Sequence, residues 1–410
     1  MTAVHQDGRT APDDHRDHDD HHNHRDHDGP AERFGIAFVG CGYVADLYAA
    51  TLPNHPSLAL VGVHDRDPAR AAAFTAHHGV PAYRTTAELL ADPAVRAVVN
   101  LTNPESHYEV TRAALLAGKH VYVEKPLAPD LDLALDLAAI AAERGLQLAS
   151  APCGLLGDAA QTAWRALREG RIGTPRLVYA ELDDGPILRM PFQEWISPSG
   201  APWPYRDEFE TGCTVEHAGY WLTWLTAFFG PVRELVAFAT RVAPNPHVPP
   251  GTALSPDFSL ACLTFGSGVT ARLTTSIHAP KDYSLRVVGD EGLLTVADSW
   301  DYDSPVTVSR HPDGPAEPCP PVAGPPWPHR YTGTHAMDFA RGIAELAAAA
   351  EGSRPSRLPL DHALHVLELT LAIDRAGPGS VVRPTTTFAP VAPAAPPALP
   401  ALPAETREER

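Results

Sequence analysis

The run FGIAFVGCGYVA (34 to 45) sets the strongest constraint on the fold: an apolar strand ends in a Gly-x-Gly turn that opens straight into a helical pattern. Gly40 permits the tight turn, Gly42 lets the backbone approach a pyrophosphate, and Ala45 is small enough for the helix to pack close to the strand. The first helical amides, from Tyr43 and Val44 onward, then face an anion. The next strand, LALVGVHD (58 to 65), ends in Asp65, placed to accept hydrogen bonds from a ribose 2′-hydroxyl. The competing reading of Asp65 is a cap for the helix opening at Pro68. Arg66 follows and can accommodate a 2′-phosphate, so NAD(H) is preferred and NADP(H) is the alternative.

The pattern continues with helices over 68 to 78, 86 to 91 and 106 to 117, a strand over 96 to 102, the strand HVYV (120 to 123), a helix over 131 to 145 and a strand over 146 to 150. Strands alternating with helices of this length predict an α/β fold, a doubly wound parallel Rossmann sheet. After residue 153 the texture changes. A helix at 159 to 169 is followed by β-branched runs at 171 to 184, 234 to 242, 259 to 277, 283 to 297 and 305 to 309, whose alternation and glycine turns predict a C-terminal α+β domain with a mostly antiparallel open sheet. Helices near 335 to 350 and 361 to 376 complete it. The Pro-rich, aromatic stretch 185 to 209 reads either as a lid or pocket wall, or as a crossover that packs Trp195 and Trp203 for stability.

The domain boundaries follow: 33 to 152 for the dinucleotide-binding part and 153 to 376 for the substrate and oligomerisation part. Residues 1 to 32, dominated by His and Asp, offer almost nothing to bury and read as a disordered tail. Its histidines can hold a metal loosely, but a solvated polar tail is the plainer reading. Residues 377 to 410, rich in Pro and Ala, read as a second tail. The 410 residues carry a formal net charge of -18, which argues against nucleic acid as partner. No apolar stretch approaches a membrane span and no signal pattern opens the chain, so the expected compartment is the cytoplasm. Five scattered cysteines without a CxxC pair indicate reduced thiols rather than a disulfide framework or zinc knuckle. His362 and His365 share a helix face with Asp361, but lack a third positioned ligand, so no metal site is proposed.

Glu124, Lys125 and Pro126 close the strand HVYV. They put an ammonium donor beside a rigid proline at a strand's C-terminal end, where open α/β sheets gather ligands. With the glycine loop, this suggests hydride chemistry. GCGYVA (40 to 45), DRDPARA (65 to 71), AGKHVYVEKPL (117 to 127) and EGRIG (169 to 173) together resemble the glucose-fructose oxidoreductase, inositol dehydrogenase and rhizopine-catabolism (Gfo/Idh/MocA) family, from about Phe34 to Ala376. The resemblance implies a substrate site between the two domains, a small-molecule substrate such as a sugar or cyclitol, and a homo-oligomer built through the C-terminal sheet. It also implies that Lys125 reaches the reacting hydroxyl or carbonyl and Glu124 sits near the nicotinamide ribose. Asn100, Thr102 and Pro104 would line the nicotinamide with His107 following, although His107 reads equally as packing for the helix it opens.

The family's usual Asp, Gly and His spaced two apart align here on ETGCTVEHAGYWLTWL (210 to 225), with Glu216 at the Asp position, Ala218 at the Gly and Tyr220 at the His. The usual imidazole is missing. Tyr220 is the preferred proton donor or acceptor, with His217 adjacent; the competing reading puts Tyr220 in an apolar stripe with Trp221 and Trp224. A phenol is a poor base at neutral pH unless a cation such as Lys125 stabilises the phenolate, whereas a neutral phenol simply donates in the reductive direction. The leading reading is an NAD(P)-dependent oxidoreductase acting on a hydroxyl, keto or imino carbon. An NAD-retaining glycosidase of the same family and a non-catalytic cofactor-binding regulator stand as alternatives.

Overall fold

The computed structural model describes residues 33 to 311, 314 to 331, 335 to 377 and 379 to 394; the His/Asp-rich segment 1 to 32 and residues 395 to 410 lie outside them. The first half alternates as its sequence pattern requires: β1 (Phe34–Val39), α1 (Tyr43–Thr51), β2 (Leu58–His64), α2 (Pro68–His78), α3 (Thr86–Ala91), β3 (Ala97–Asn100), α4 (His107–Leu116), β4 (His120–Val123), α5 (Leu131–Arg144) and β5 (Leu148–Ser150). All five strands are parallel, in the order β2-β1-β3-β4-β5. Every residue of β1, β3 and β5 is buried, which is why these segments read as continuous apolar runs without alternation. The strand order reverses at β1, so the crevice beyond the carboxyl ends of β1 and β3 is where such a sheet takes ligands.

The second half comprises α6 (Asp158–Arg168), β6 (Pro175–Asp183), α7 (Tyr205–Thr211), α8 (Cys213–Phe229), β7 (Val232–Thr240), β8 (Phe258–Phe265), β9 (Thr270–Ser276), β10 (Leu285–Gly289), β11 (Gly292–Val296), β12 (Val306–Ser309), β13 (Glu317–Pro318), α9 (Arg341–Ala350), α10 (Leu360–Asp374) and β14 (Ser380–Val382). Among the described residues these strands form a nine-stranded sheet, antiparallel throughout except where β6 runs parallel to β9. Helices α8 and α10 cover its inner face, and one continuous apolar core joins it to the parallel sheet through Tyr122, Trp221 and Trp224.

Two expectations shift. The Pro/Ala-rich tail does not begin at 377: Ser380–Val382 pairs antiparallel with β7, and Phe388 and Val391 are buried against the core. Exposed backbone on the edge of β7 supplies a partner that local composition does not reveal. The helix placed at 335 to 350 starts only at Arg341; before it, Ala336 bridges to Asp301, and its carbonyl accepts from Tyr302 N at 3.0 Å. No helix among the described residues is long and apolar enough to cross a membrane.

Candidate active site

Gly40 turns the chain at φ +100, and a Cβ there would lie 2.5 Å from the Leu101 carbonyl oxygen, so glycine is required where β1 and β3 meet. Gly42 is the opposite case: a Cβ there would meet nothing within 4 Å, which leaves its backbone facing open space at the N-terminus of α1. This is a cradle for a pyrophosphate. The Asp65 carboxylate accepts from Cys41 N at 2.7 Å and from Asp67 N at 2.8 Å, so it braces the glycine loop from the end of β2. Asp67, not Asp65, caps α2, accepting from Ala69 N at 2.9 Å. Arg66 is exposed, and Arg70 donates to the Cys41 carbonyl at 2.9 Å.

A cleft of about 1490 Å³, partly open to solvent, runs from this loop to α8. Gly42, Tyr43, Val44, Thr102, Pro104 and Glu124 line its cofactor end, and Lys125, Glu216, His217 and Tyr220 line its other end. The structure therefore brings together most of the residues singled out from the sequence. Asn100 and His107 stand behind the wall instead. Both are fully buried: the Asn100 amide donates to the His107 carbonyl at 3.1 Å and its Oδ1 accepts from Thr102 at 2.7 Å, while the His107 ring bridges the carbonyls of Pro126 and Thr102 at 2.6 and 2.9 Å. Burial pushes the His107 imidazole below its usual range. It braces the segment that carries Lys125 and does not face the cleft.

Glu124 is held by Tyr48, whose hydroxyl donates to Oε1 at 2.6 Å, and its Oε2 accepts from the Lys125 amide at 3.0 Å. The Lys125 ammonium forms an ion pair with Glu216 in the first turn of α8. Burial alone would lower the lysine, but the carboxylates of Glu216, Glu208 and Glu124 hold it well above its ordinary value, so it stays charged. Burial together with the Lys125 charge drives His217 down to about 3, and His335 likewise with Lys281 contributing. Both rings are neutral at pH 7. Tyr220 is pushed up by burial despite Lys125, so its phenol keeps its proton. The phenolate activation weighed from the sequence is not the ground state, because Lys125 is already paired with Glu216.

Helix α8 is apolar nearly all round and almost wholly buried. Trp221 turns away, donating to the Glu181 carbonyl at 2.8 Å, while Glu216 and Tyr220, one turn apart, share the cleft face. Trp300 floors this end, its ring 5.3 Å from Tyr220, 5.6 Å from His217 and 4.2 Å from His335. The segment 185 to 209 does both things weighed for it: Trp195 and Trp203 pack against each other with ring centroids 5.0 Å apart, and both line the cleft. Ser197 and Ser199 tie it to the parallel domain through the buried Asp46 carboxylate.

Sequence reasoning missed Glu208, Asp184, Lys281, Trp300 and His335, all of which line the cleft. Asp184 accepts from the Tyr283 hydroxyl and lies 4.0 Å from Lys281 Nζ. Glu208 had a usable signal, since it precedes Gly212 by four residues, two positions before the run that supplied Glu216.

Residues 34–151 match the family described as "Oxidoreductase family, NAD-binding Rossmann fold", and residues 160–295 match the "GFO/IDH/MocA C-terminal domain". An uncharacterised oxidoreductase of Synechocystis is 26% identical over 298 residues, covering 68% of this chain and 76% of the relative. A dTDP-3,4-didehydro-2,6-dideoxy-α-D-glucose 3-reductase of Streptomyces antibioticus is 36% identical over 154 residues, 37% of this chain and 46% of its own. Among solved structures, an Agrobacterium radiobacter oxidoreductase in complex with NAD+, L-tartaric acid and magnesium superposes with a TM-score of 0.70 at 18% identity, over 86% of this chain and 98% of that one. A 3-ketoreductase of Actinomadura kijaniata in complex with NADP gives 0.65 at 23% identity, over 83% and 96%.

Proposed function

Because this chain belongs to the Gfo/Idh/MocA family of NAD(P)-dependent oxidoreductases, we propose that it reduces a ketone on a sugar or cyclitol ring, reversibly, in the cleft between the glycine loop and α8. The observation that carries this reading is that a charged Lys125 and a proton-bearing Tyr220 line the same end of one cleft. Gly42, Tyr43 and Val44 would hold the pyrophosphate, Asp65 the adenosine ribose, and Thr102, Pro104 and Glu124 the nicotinamide end. Bound there, the nicotinamide supplies or accepts the hydride. Lys125 stabilises the negative charge that grows on the substrate oxygen, and Tyr220 gives that oxygen its proton. Glu216 keeps Lys125 aimed across the cleft.

Among the described residues, His217 Nδ1 and Trp300 Nε1 are buried without a hydrogen-bond partner, and both side chains line the cleft. Ring hydroxyls of a substrate would satisfy them. A further hollow of about 540 Å³ continues past Glu208, Glu216 and His217 toward Arg241 and Asn245, room for a substituent beyond the ring. The outer face of the nine-stranded sheet exposes Val236 and Phe238, which supports a homo-oligomer joined there, and we read the protein as cytoplasmic.

The test is to purify the protein, identify any co-purifying nicotinamide cofactor, and follow reduced-nicotinamide absorbance with 1,5-anhydro-D-fructose, 2-keto-myo-inositol and 3-keto sugar nucleotides. Turnover that vanishes in Lys125→Ala supports the reading. Turnover that survives it overturns the reading.

A further inference from the structure

Asp46, in the first turn of α1, is only 1% exposed, and its two carboxylate oxygens face different partners. Oδ2 accepts from the Ser197 hydroxyl and from the Ser199 hydroxyl and amide, the last two at 2.7 and 3.3 Å. Oδ1 faces His78 Nε2 at 2.5 Å, on the last residue of α2. His77 precedes it, exposed, with its ring 4.6 Å from that of His78. One donor atom from each of Asp46, His77 and His78 lies within 4.8 Å of the other two. Asp46 and His78 are 32 positions apart, so spacing along the chain gives no sign of the cluster. We infer that Asp46, His77 and His78 form a binding site for a divalent transition-metal ion of the zinc class, at the junction of α1, α2 and the segment 185 to 209.

The donor set selects the ion. Two imidazoles and a carboxylate suit zinc, cobalt or nickel, whereas magnesium and calcium take oxygen ligands. Zinc holds nitrogen and oxygen at about 2.0 to 2.2 Å, so a modest turn of the exposed His77 ring brings all three donors to one ion, with water as fourth ligand. An ion entering between Oδ1 and Nε2 takes the place of their hydrogen bond, and the neutral His78 ring then carries its proton on Nδ1.

The surroundings favour a cation. Helix α2 ends at His78, with Gly79 as its left-handed cap, so the negative end of the helix dipole lies at the site. The Ser197 and Ser199 donors hold Oδ2 and thereby aim Oδ1, as hydrogen-bonding partners do for metal-bound carboxylates. A buried carboxylate also needs a counter-charge. Among the described residues its ion-pair partner is the His78 imidazole, charged only when protonated. The Arg70 guanidinium instead reaches the Cys41 carbonyl and the Ser199 hydroxyl, at 2.9 and 3.2 Å. The site joins parts that matter to the cleft: α1 begins at the glycine loop, and Ser197 and Ser199 lie between Trp195 and Trp203, which line it. It is independent of which substrate the cleft takes.

Zinc that binds the folded protein and not the unfolded chain raises the melting temperature. With ZnCl2 about 100-fold above its dissociation constant, the full-length wild type is expected to melt roughly 3 °C higher than in EDTA. MgCl2 should give no such shift. His77 is exposed, so His77→Ala removes a ligand and leaves the core alone. That variant and His78→Asn should lose the zinc shift and bind one equivalent fewer by isothermal titration. The histidines among residues 1 to 32 are the same in all three proteins, so the difference between wild type and variant isolates the site. A zinc shift and stoichiometry unchanged in His77→Ala, or zinc uptake by wild type without any shift, overturns the proposal.

Discussion

Lys125 meets Glu216 across the cleft, an ion pair that fastens the segment after β4 to the first turn of α8. The partners come from the two sheets' domains, so the pair both orients the ammonium and holds the walls of the cleft together. Removing one partner of such a pair leaves a poorly solvated charge. Glu216→Ala is expected to destabilise the protein by about 3 kcal/mol, read by denaturant melts, and to cost more activity than Glu216→Gln. Lys125→Ala should lower kcat at least roughly 100-fold while cofactor affinity, read by quenching of nicotinamide fluorescence, changes little.

Tyr220 presents a protonated phenol to the cleft because burial outweighs the pull of Lys125. Tyr220→Phe keeps the ring against Trp300 and removes only the hydroxyl. We expect kcat for ketone reduction to fall about 100-fold with stability unchanged within ~1 kcal/mol. A kcat equal to wild type would take the proton-donor role away from Tyr220 and leave Lys125 in place.

Much of this was legible because it is local. The glycine turn, the strand ends carrying Asp65 and Lys125, and the buried strands β1 and β3 each follow from short-range patterns that sterics enforce. The rest depends on distant partners. Nothing near Ser380 announces that β7 offers an open edge, and nothing near Trp300 tells that its ring will floor a cleft whose other wall is α8. Asn100 was placed correctly in the chain and wrongly in depth, and of the two readings held for His107 the structure takes the packing one: a polar residue at a strand end can face the ligand or brace the residue that does. Which one depends on carbonyls such as that of Pro126, supplied from elsewhere in the fold.

Cofactor choice is expected to depend on Asp65, whose carboxylate lies against the glycine loop, with the exposed Arg66 beside it. A 2′-phosphate would meet that negative charge, so wild type should prefer NAD(H). Asp65→Ser removes the repulsion and leaves Arg66 to pair with the phosphate. The ratio of kcat/KM for NADPH over NADH should rise at least tenfold, about 1.4 kcal/mol. Part of the loss with NADH will come from the Cys41 and Asp67 amides that Asp65 now braces, so kcat/KM for both cofactors must be measured.

His362 gives the clearest pH signature outside the cleft. Its Nε2 hydrogen-bonds to Thr226 Oγ1 at 2.7 Å, its ring packs on Phe388, and burial with help from His365 takes it down to about 3. The unfolded chain binds a proton here near pH 6.5 and the folded one does not. The stability this site contributes is therefore complete above about pH 6.5 and drains away as pH falls toward 3, by up to about 1.4 kcal/mol per pH unit. Asp183 and Asp374, both raised to about 6 chiefly by burial, work in the opposite sense over part of that window, so wild type alone will show a blunted slope. The comparison with His362→Gln isolates the site: the variant should be less stable than wild type at pH 7.5 and gain on it steadily between pH 6.5 and 4. A stability difference independent of pH would mean that His362 titrates in the folded protein as it does in the unfolded chain.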